Sequence, residues 1–185
     1  MNLKKKIFII PFVVLLSVIL ASCTNTPENT DEDAVIINQD DYTEPLIIAN
    51  KETVRLEDGD IDLFIKRYGW EMQKSETGLR YFILNQGDRY HPKVKDRIEL
   101  AYSMRLIDGT DVYNSDTDGN KEFALGKSDE INGLQEAVKM MGEGGKARLV
   151  IPSYLAYGMS GDGFLIRQRI PIIMEIEIIK ITKSN

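Results

Sequence analysis

The sequence predicts an α+β protein in which an antiparallel sheet wraps on one short helix, with a helical extension before it. Residues 97–106 alternate strictly between apolar and polar side chains, which indicates a half-buried strand. Further strands are predicted at residues 79–84, 123–125, 146–151 and 172–181. Between them, Leu134, Ala137, Val138 and Met141 form one helical apolar face, with Asn132 as the expected N-cap and Gly142 as the stop. Strands on both sides of a single helix indicate an antiparallel α+β domain.

The amino terminus resembles a bacterial lipoprotein leader. Three lysines at residues 4–6 precede an apolar run at residues 7–21, which is shorter than the ~20 residues that a spanning helix needs. The run ends in LASC at residues 20–23, which resembles a lipobox, so we expect cleavage before Cys23 and acylation of its thiol, for example with palmitate. Two or three acyl chains would anchor the protein stably. The alternatives are a non-lipidated signal peptide or an uncleaved anchor.

The charge balance excludes two classes of partner. Residues 1–22 carry three lysines and no acid, so cleavage would change the formal net charge from -6 to -9. Nucleic acids and anionic headgroups are bound by Lys and Arg, so neither is an expected partner. Because Cys23 is the only cysteine, no disulfide within the chain is expected either.

Composition divides the chain into four parts. Residues 1–22 are the signal peptide, 23–43 an acidic tether, 44–76 a helical extension and 77–185 the main domain. The acidic run could alternatively serve as a surface-export signal. The extension is predicted to hold two helical stretches, one starting near Thr43 and another near Asp60. We expect their apolar stripes, with Trp70, to cover the main domain rather than to form a homodimer arm; the stripe residues are Leu46, Ile47, Val54, Ile61, Phe64, Ile65, Tyr68 and Met72.

Six segments of the main domain resemble FKBP-type peptidyl-prolyl cis/trans isomerases in unbroken order. They read LIDGTDVYNS (106–115), FALGK (123–127), INGLQEAV (131–138), MGEGGKARLVIPS (141–153), LAYG (155–158) and MEIEI (174–178). The resemblance covers residues 77–183 and implies an FKBP-like fold. Together with the leader, tether and helices, it is similar to the gliding-motility-associated FKBP-type lipoproteins.

The resemblance also implies the site and its chemistry. Tyr157 corresponds to the hydroxyl donor, the backbone N–H of Ile131 to the group that binds a substrate carbonyl, and Tyr102 and Phe123 to aromatic walls. No metal, cofactor or nucleophile is expected, because isomerisation only twists an X-Pro amide across a barrier of about 18 to 20 kcal/mol. His91, the only histidine, is expected to face solvent.

Several pocket positions depart from the family pattern. Val112 and Met174 stand where phenylalanine is usual, Tyr113 where aspartate is, and Leu134 where tryptophan forms the floor. Glu130 replaces a valine, and the flap reads IRQ at residues 166–168 instead of Ile-Pro-Pro. Leu134, Met174, Val112 and Tyr113 are still expected to bind substrate, although Tyr102, Met174 and Leu134 would equally serve as core residues of such a sheet.

Three hypotheses follow for function. The first is a prolyl isomerase that assists folding of exported proteins, with X-Pro segments as its partners. The second is a non-catalytic module of the same fold that binds proline-containing or unfolded segments. The third is a part of a surface machine whose helices contact the partner. Thr24, instead of aspartate, after the acylated cysteine favours the outer membrane, facing the periplasm or the cell surface.

Overall fold

The computed structural model describes residues 40–184, and Glu44–Asn185 form one compact unit. The leader, Cys23 and the tether up to residue 39 lie outside the described residues. The elements, in chain order, are helix α1 (Asp40–Tyr68), strands β1 (Gln73–Lys74), β2 (Arg80–Asn85), β3 (Arg97–Leu106) and β4 (Asp111–Asn114), helix α2 (Ser115–Asp118), β5 (Lys121–Ala124), helix α3 (Asn132–Val138), β6 (Lys146–Ile151), a 3₁₀ turn (Ser153–Leu155) and β7 (Ile172–Thr182). No helix within the described residues is long and apolar enough to cross a membrane.

The strands form one antiparallel sheet in the order β1-β2-β6-β7-β3-β4, and β5 also pairs with β3. The long strand β3 is shared: its first half pairs with β5 and its second half with β4 on one edge, while β7 pairs along its whole length on the other. The predicted α+β class with an antiparallel sheet and one short packed helix is confirmed.

The two faces of the sheet are covered differently. On the inner face, alternate residues of β3, β6 and β7 meet helix α3 in the main core, where Leu100, Leu134 and Leu149 are completely buried. On the outer face, Val150 and Ile173 form a second cluster with Ile61 of helix α1. The alternation of one strand therefore supplies both cores, as period-two patterning requires.

Helix α1 is one continuous helix, whereas the sequence predicted two helical stretches. It runs through Gly59 and ends at Tyr68 in a Schellman motif, in which Gly69 has φ of 64° and the Trp70 N–H donates to the Ile65 carbonyl at 3.1 Å. The predicted packing holds only for its second half. Ile61 is buried with Phe64, Ile65, Trp70 and Met72 beside it, but Leu46, Ile47, Val54 and Tyr68 are exposed.

Polar contacts fix helix α1 to the domain. The guanidinium of Arg80, only 2 % exposed, donates to Asp58 at 2.6 Å and to Asp62 at 2.7 Å. Directly before Asp58 in the sequence, the Glu57 carboxylate accepts hydrogen bonds from the Ser153 N–H and from the Ser153 hydroxyl, the latter at 2.7 Å. The helix is thus attached to β2 and to the 3₁₀ turn through carboxylates of a single short segment.

The start of helix α3 differs from the predicted N-cap at Asn132. Ile131, not Asn132, is the N-cap residue, and no side chain caps the helix there. The Gln135 side chain instead donates to the Glu130 carbonyl at 2.7 Å and accepts from the Gly126 N–H at 2.8 Å. The helix also ends at Val138, before Gly142.

Candidate functional site

The fold brings all eight predicted pocket residues into one apolar cluster at the inner face of the sheet. They come from six parts of the chain: Tyr102 from β3, Val112 and Tyr113 from β4, Phe123 from β5, Ile131 and Leu134 from the start of α3, Tyr157 from the loop after the 3₁₀ turn, and Met174 from β7. Their common location follows from the sharing of β3 by β4, β5 and β7.

The eight residues differ in accessibility. Leu134 and Met174 are 0 % exposed and form the floor of the cluster, so a bound group would rest above them. Tyr102, Phe123 and Ile131 are 7–9 % exposed and line the layer above. Val112, Tyr113 and Tyr157 are half-buried and form the rim. The arrangement is an apolar surface with the rings of Tyr113 and Tyr157 at its edge.

Tyr157 is positioned by the 3₁₀ turn that precedes it. The N–H groups of Ala156 and Gly158 both donate to the Ser153 carbonyl, at 3.0 and 2.8 Å, so the chain around Tyr157 folds back on Ser153. Burial, together with the charges of Glu130 and Asp162, raises the pKa of Tyr157 to about 12. Its hydroxyl therefore keeps its proton at any physiological pH and can act as a hydrogen-bond donor.

The rim is joined to the flap by a tyrosine and an aspartate. The Tyr113 hydroxyl donates to Asp162 at 2.5 Å, and this bond raises the pKa of Tyr113 to about 12. The other oxygen of Asp162 accepts the N–H groups of Phe164 and Ile166, both at 2.8 Å. Burial opposes ionisation of Asp162, but these hydrogen bonds keep its pKa below the usual value. Ile166, 2 % exposed, fixes the flap in the core.

The backbone N–H of Ile131 already has a partner. It donates to Glu130 Oε1 at 3.1 Å, while Glu130 Oε2 lies 3.0 Å from Lys121 Nζ. The same ammonium lies 5.2 Å from the centre of the Tyr102 ring, within cation–π range. A carboxylate and a lysine are therefore placed directly at the predicted substrate contact.

Sequence reasoning did not assign a role to Glu130, Lys121 or Asp162. Glu130 was identified as a departure from the family pattern, and that departure was the available signal for its contact with Ile131. Asp162 gave no local signal, because its partner Tyr113 lies 49 residues away along the chain. Tyr113 on β4 stands at the position where the family has aspartate, and here it is Asp162 that brings a carboxylate to this position.

Other features of the described residues do not suggest a metal or a second reactive centre. Within residues 40–184, no group of three His, Cys, Asp or Glu side chains is arranged to hold a metal ion. His91 is exposed, as predicted. A surface depression of about 300 Å³ lies on the outer face of the sheet, lined by residues such as Ser103, Lys146 and Glu175. Of the eight predicted site residues only Tyr102 lines this depression, so we consider the inner-face cluster the better candidate.

Comparison with known proteins places this geometry in context. Residues 88–179 match the family described as FKBP-type peptidyl-prolyl cis-trans isomerase. The FKBP-type 22 kDa peptidyl-prolyl cis-trans isomerase of Escherichia coli is 34 % identical over 110 residues, which is 60 % of this chain and 53 % of that protein. The outer membrane protein MIP of Legionella longbeachae is 32 % identical over 108 residues, covering 58 % and 46 % of the two chains.

A solved structure gives the corresponding fold. The crystal structure of a peptidyl-prolyl cis-trans isomerase from Pseudomonas syringae matches with a TM-score of 0.58 and 29 % identity, over 72 % of this chain and 96 % of that one. This chain spans about half the length of the two curated relatives, so the match describes a shared domain.

Proposed function

We propose, from the match of residues 88–179 to the family described as FKBP-type peptidyl-prolyl cis-trans isomerase, that this protein isomerises X-Pro bonds in exported polypeptides. The observation that carries the proposal is the pairing of a protonated Tyr157 hydroxyl with an apolar floor and a backbone N–H at Ile131. Those are the groups that a twisted amide requires.

The chemistry requires no covalent step. A planar amide owes its barrier of about 18 to 20 kcal/mol to partial double-bond character of the C–N bond. An apolar surface disfavours the charge-separated planar form, whereas a donor placed for the twisted form stabilises it. Tyr157 would supply that donor, Tyr102 and Phe123 would hold the proline ring, and Ile131 would bind the preceding carbonyl.

The proposal includes a location. We infer that Cys23 is acylated and holds the domain at the outer membrane, in the manner of the gliding-motility-associated FKBP-type lipoproteins that the leader and helices resemble. Support comes from the LASC segment at residues 20–23 and from the relative whose name is outer membrane protein MIP. Clients would then be exported proteins that fold near the membrane.

A peptide assay tests the catalytic proposal. Residues 44–185 would be assayed on an Ala-X-Pro-Phe peptide, with Tyr157→Phe and Ile131→Asp variants, and Tyr68→Phe as the control because Tyr68 is an exposed helix residue. We expect acceleration by the wild type and by Tyr68→Phe, with a loss of about tenfold or more in the other two. No acceleration above the uncatalysed rate in the wild type would exclude an enzyme.

A second candidate function is binding of unfolded segments without catalysis. The observation that favours it is the apolar surface of residues 159–165, which lead into the flap: Phe164 is 90 % exposed, Met159 65 % and Leu165 54 %. Such a patch suits contact with unfolded chains. A Phe164→Ser, Leu165→Ser double variant is expected to lose suppression of client aggregation yet to keep peptide isomerisation. Retained suppression would count against this candidate.

A further inference from the structure

The Ile131 N–H is occupied by a side chain of the protein itself. Glu130 Oε1 accepts this hydrogen bond at 3.1 Å, and Ile131 is only 7 % exposed. A backbone donor has one hydrogen, so a substrate carbonyl can bind it only after the carboxylate has moved away.

The carboxylate is held in place by its surroundings. Its second oxygen pairs with Lys121 Nζ at 3.0 Å, and the side chains of Glu130 and Lys121 are 13 % and 24 % exposed. The backbone is fixed as well, because the Glu130 carbonyl accepts a hydrogen bond from Gln135 at 2.7 Å. Charge-assisted bonds in such a partly desolvated place are stronger than bonds between neutral groups.

We propose that Glu130 sets the substrate affinity of this site by competing with the substrate carbonyl for the Ile131 N–H. The inference rests on the proposed function, which assigns that N–H to substrate. Only the fraction of molecules in which Glu130 has moved away can bind, so the apparent Kd is the intrinsic Kd divided by that fraction. Lys121 pairs with the Glu130 carboxylate while that carboxylate accepts from the Ile131 N–H, and it can still pair with the carboxylate after a substrate has displaced it.

Substitution of Glu130 provides the test. In residues 44–185, Glu130→Val frees the N–H, Glu130→Gln keeps an acceptor but loses the charge, and Asp129→Val removes the neighbouring exposed carboxylate as a matched control. We would titrate each protein with an Ala-Leu-Pro-Phe peptide by ¹⁵N–¹H NMR, which reports Kd and the Ile131 amide shift, and measure kcat and kcat/KM on the same peptide.

Competition predicts a specific pattern. Glu130→Val should lower Kd and raise kcat/KM about five- to tenfold with kcat unchanged, and should move the free Ile131 amide proton upfield. The Kd and kcat/KM of Glu130→Gln should lie between those of Glu130→Val and the wild type, and the values of Asp129→Val should match those of the wild type. Equal Kd in the wild type and Glu130→Val, or an equal gain from Asp129→Val, would overturn the proposal.

The two proposals fail in different ways. If neither the wild type nor any variant accelerates isomerisation, the proposed enzyme function is wrong. The peptide Kd and the Ile131 amide shift still decide whether Glu130 competes for the N–H, because neither measurement depends on turnover.

Discussion

Tyr157 illustrates how burial extends the pH range over which a tyrosine hydroxyl stays protonated. Its pKa is raised from 10.0 to about 12, first by desolvation and then by nearby carboxylates. The neutral hydroxyl is favoured in the folded protein, so the unfolded state releases this proton first as the pH rises.

Two outcomes follow for the pH dependence of the wild type. If Tyr157 is the donor, kcat/KM should stay level through pH 10, the usual range for tyrosine, because the folded hydroxyl remains protonated. The free energy of unfolding should fall between pH 10 and 12, since the unfolded state then binds fewer protons. Tyr157→Phe should make that fall shallower, as measured by urea titrations at each pH. A loss of kcat/KM with a midpoint near pH 10 would contradict the assignment.

At the level of single residues, the motifs predicted a set of residues that the fold brings into one cluster, but they did not predict the contacts of those residues. Tyr102, Phe123 and Met174 could be aligned by motif because local spacing is fixed along a strand. The bond between Tyr113 and Asp162 joins residues that only the folded chain brings together. Glu130 is next to Ile131 in the sequence, so their proximity needs no fold. The orientation of the Glu130 carboxylate, however, depends on its ion pair with Lys121 on the neighbouring strand.

At the level of secondary structure, helix α1 shows why the local sequence pattern predicted a break near Asp60 that the structure does not have. Gly59, flanked by Asp58 and Asp60, is a typical helix-breaking segment, and the sequence accordingly predicted a second stretch from Asp60. The helix continues because Asp58 and Asp62 both bind Arg80 and because Ile61 is buried against β6 and β7. Strands were predicted more closely, since alternation is a property of each strand alone.

Removal of the Arg80 guanidinium should detach helix α1 and destabilise the domain. Arg80→Met is expected to lower the free energy of unfolding by about 1 to 2 kcal/mol, because it removes the charge-assisted hydrogen bonds of a buried guanidinium, whereas the carboxylates of Asp58 and Asp62 are 28 % and 59 % exposed and can be hydrated. Arg55→Met, which breaks an exposed ion pair with Glu52 on the same helix, should change stability little. Chemical denaturation measures both. Equal effects of the two substitutions would show that the buried pair does not hold the helix.

The contact between Glu57 and Ser153 should couple helix α1 to the loop that carries Tyr157. Glu57→Ala frees Ser153, whose carbonyl organises the chain around Tyr157, so we expect kcat/KM to fall about tenfold with kcat as the main component. The NMR signals of Tyr157 should shift, and Glu57→Gln should restore much of the activity. Asp60→Asn, an exposed change on the same helix, is the control. Unchanged Tyr157 signals in Glu57→Ala would refute the coupling.

For the whole molecule, the anchor can be tested separately from the domain. Because the leader is cleaved only after the cysteine is acylated, Cys23→Ser should abolish incorporation of labelled palmitate and leave the protein larger than the mature wild type by the uncleaved leader. Its isomerase activity on peptides should be unchanged, because residues 44–185 form a compact unit without it. A wild-type protein that takes up no labelled palmitate would instead support a non-lipidated signal peptide or an uncleaved anchor.

The position of β7 has a consequence for how this protein reaches its mature state. This strand follows β3 and β6 in the sequence, yet it lies between them in the interior of the sheet. If the chain is exported amino terminus first, β3 and β6 emerge with their shared neighbour still missing, and the inner-face core cannot close until residues 172–182 arrive. The chain would therefore pass through a stage in which β3 and β6 have open edges, and truncation before residue 172 would leave that core open.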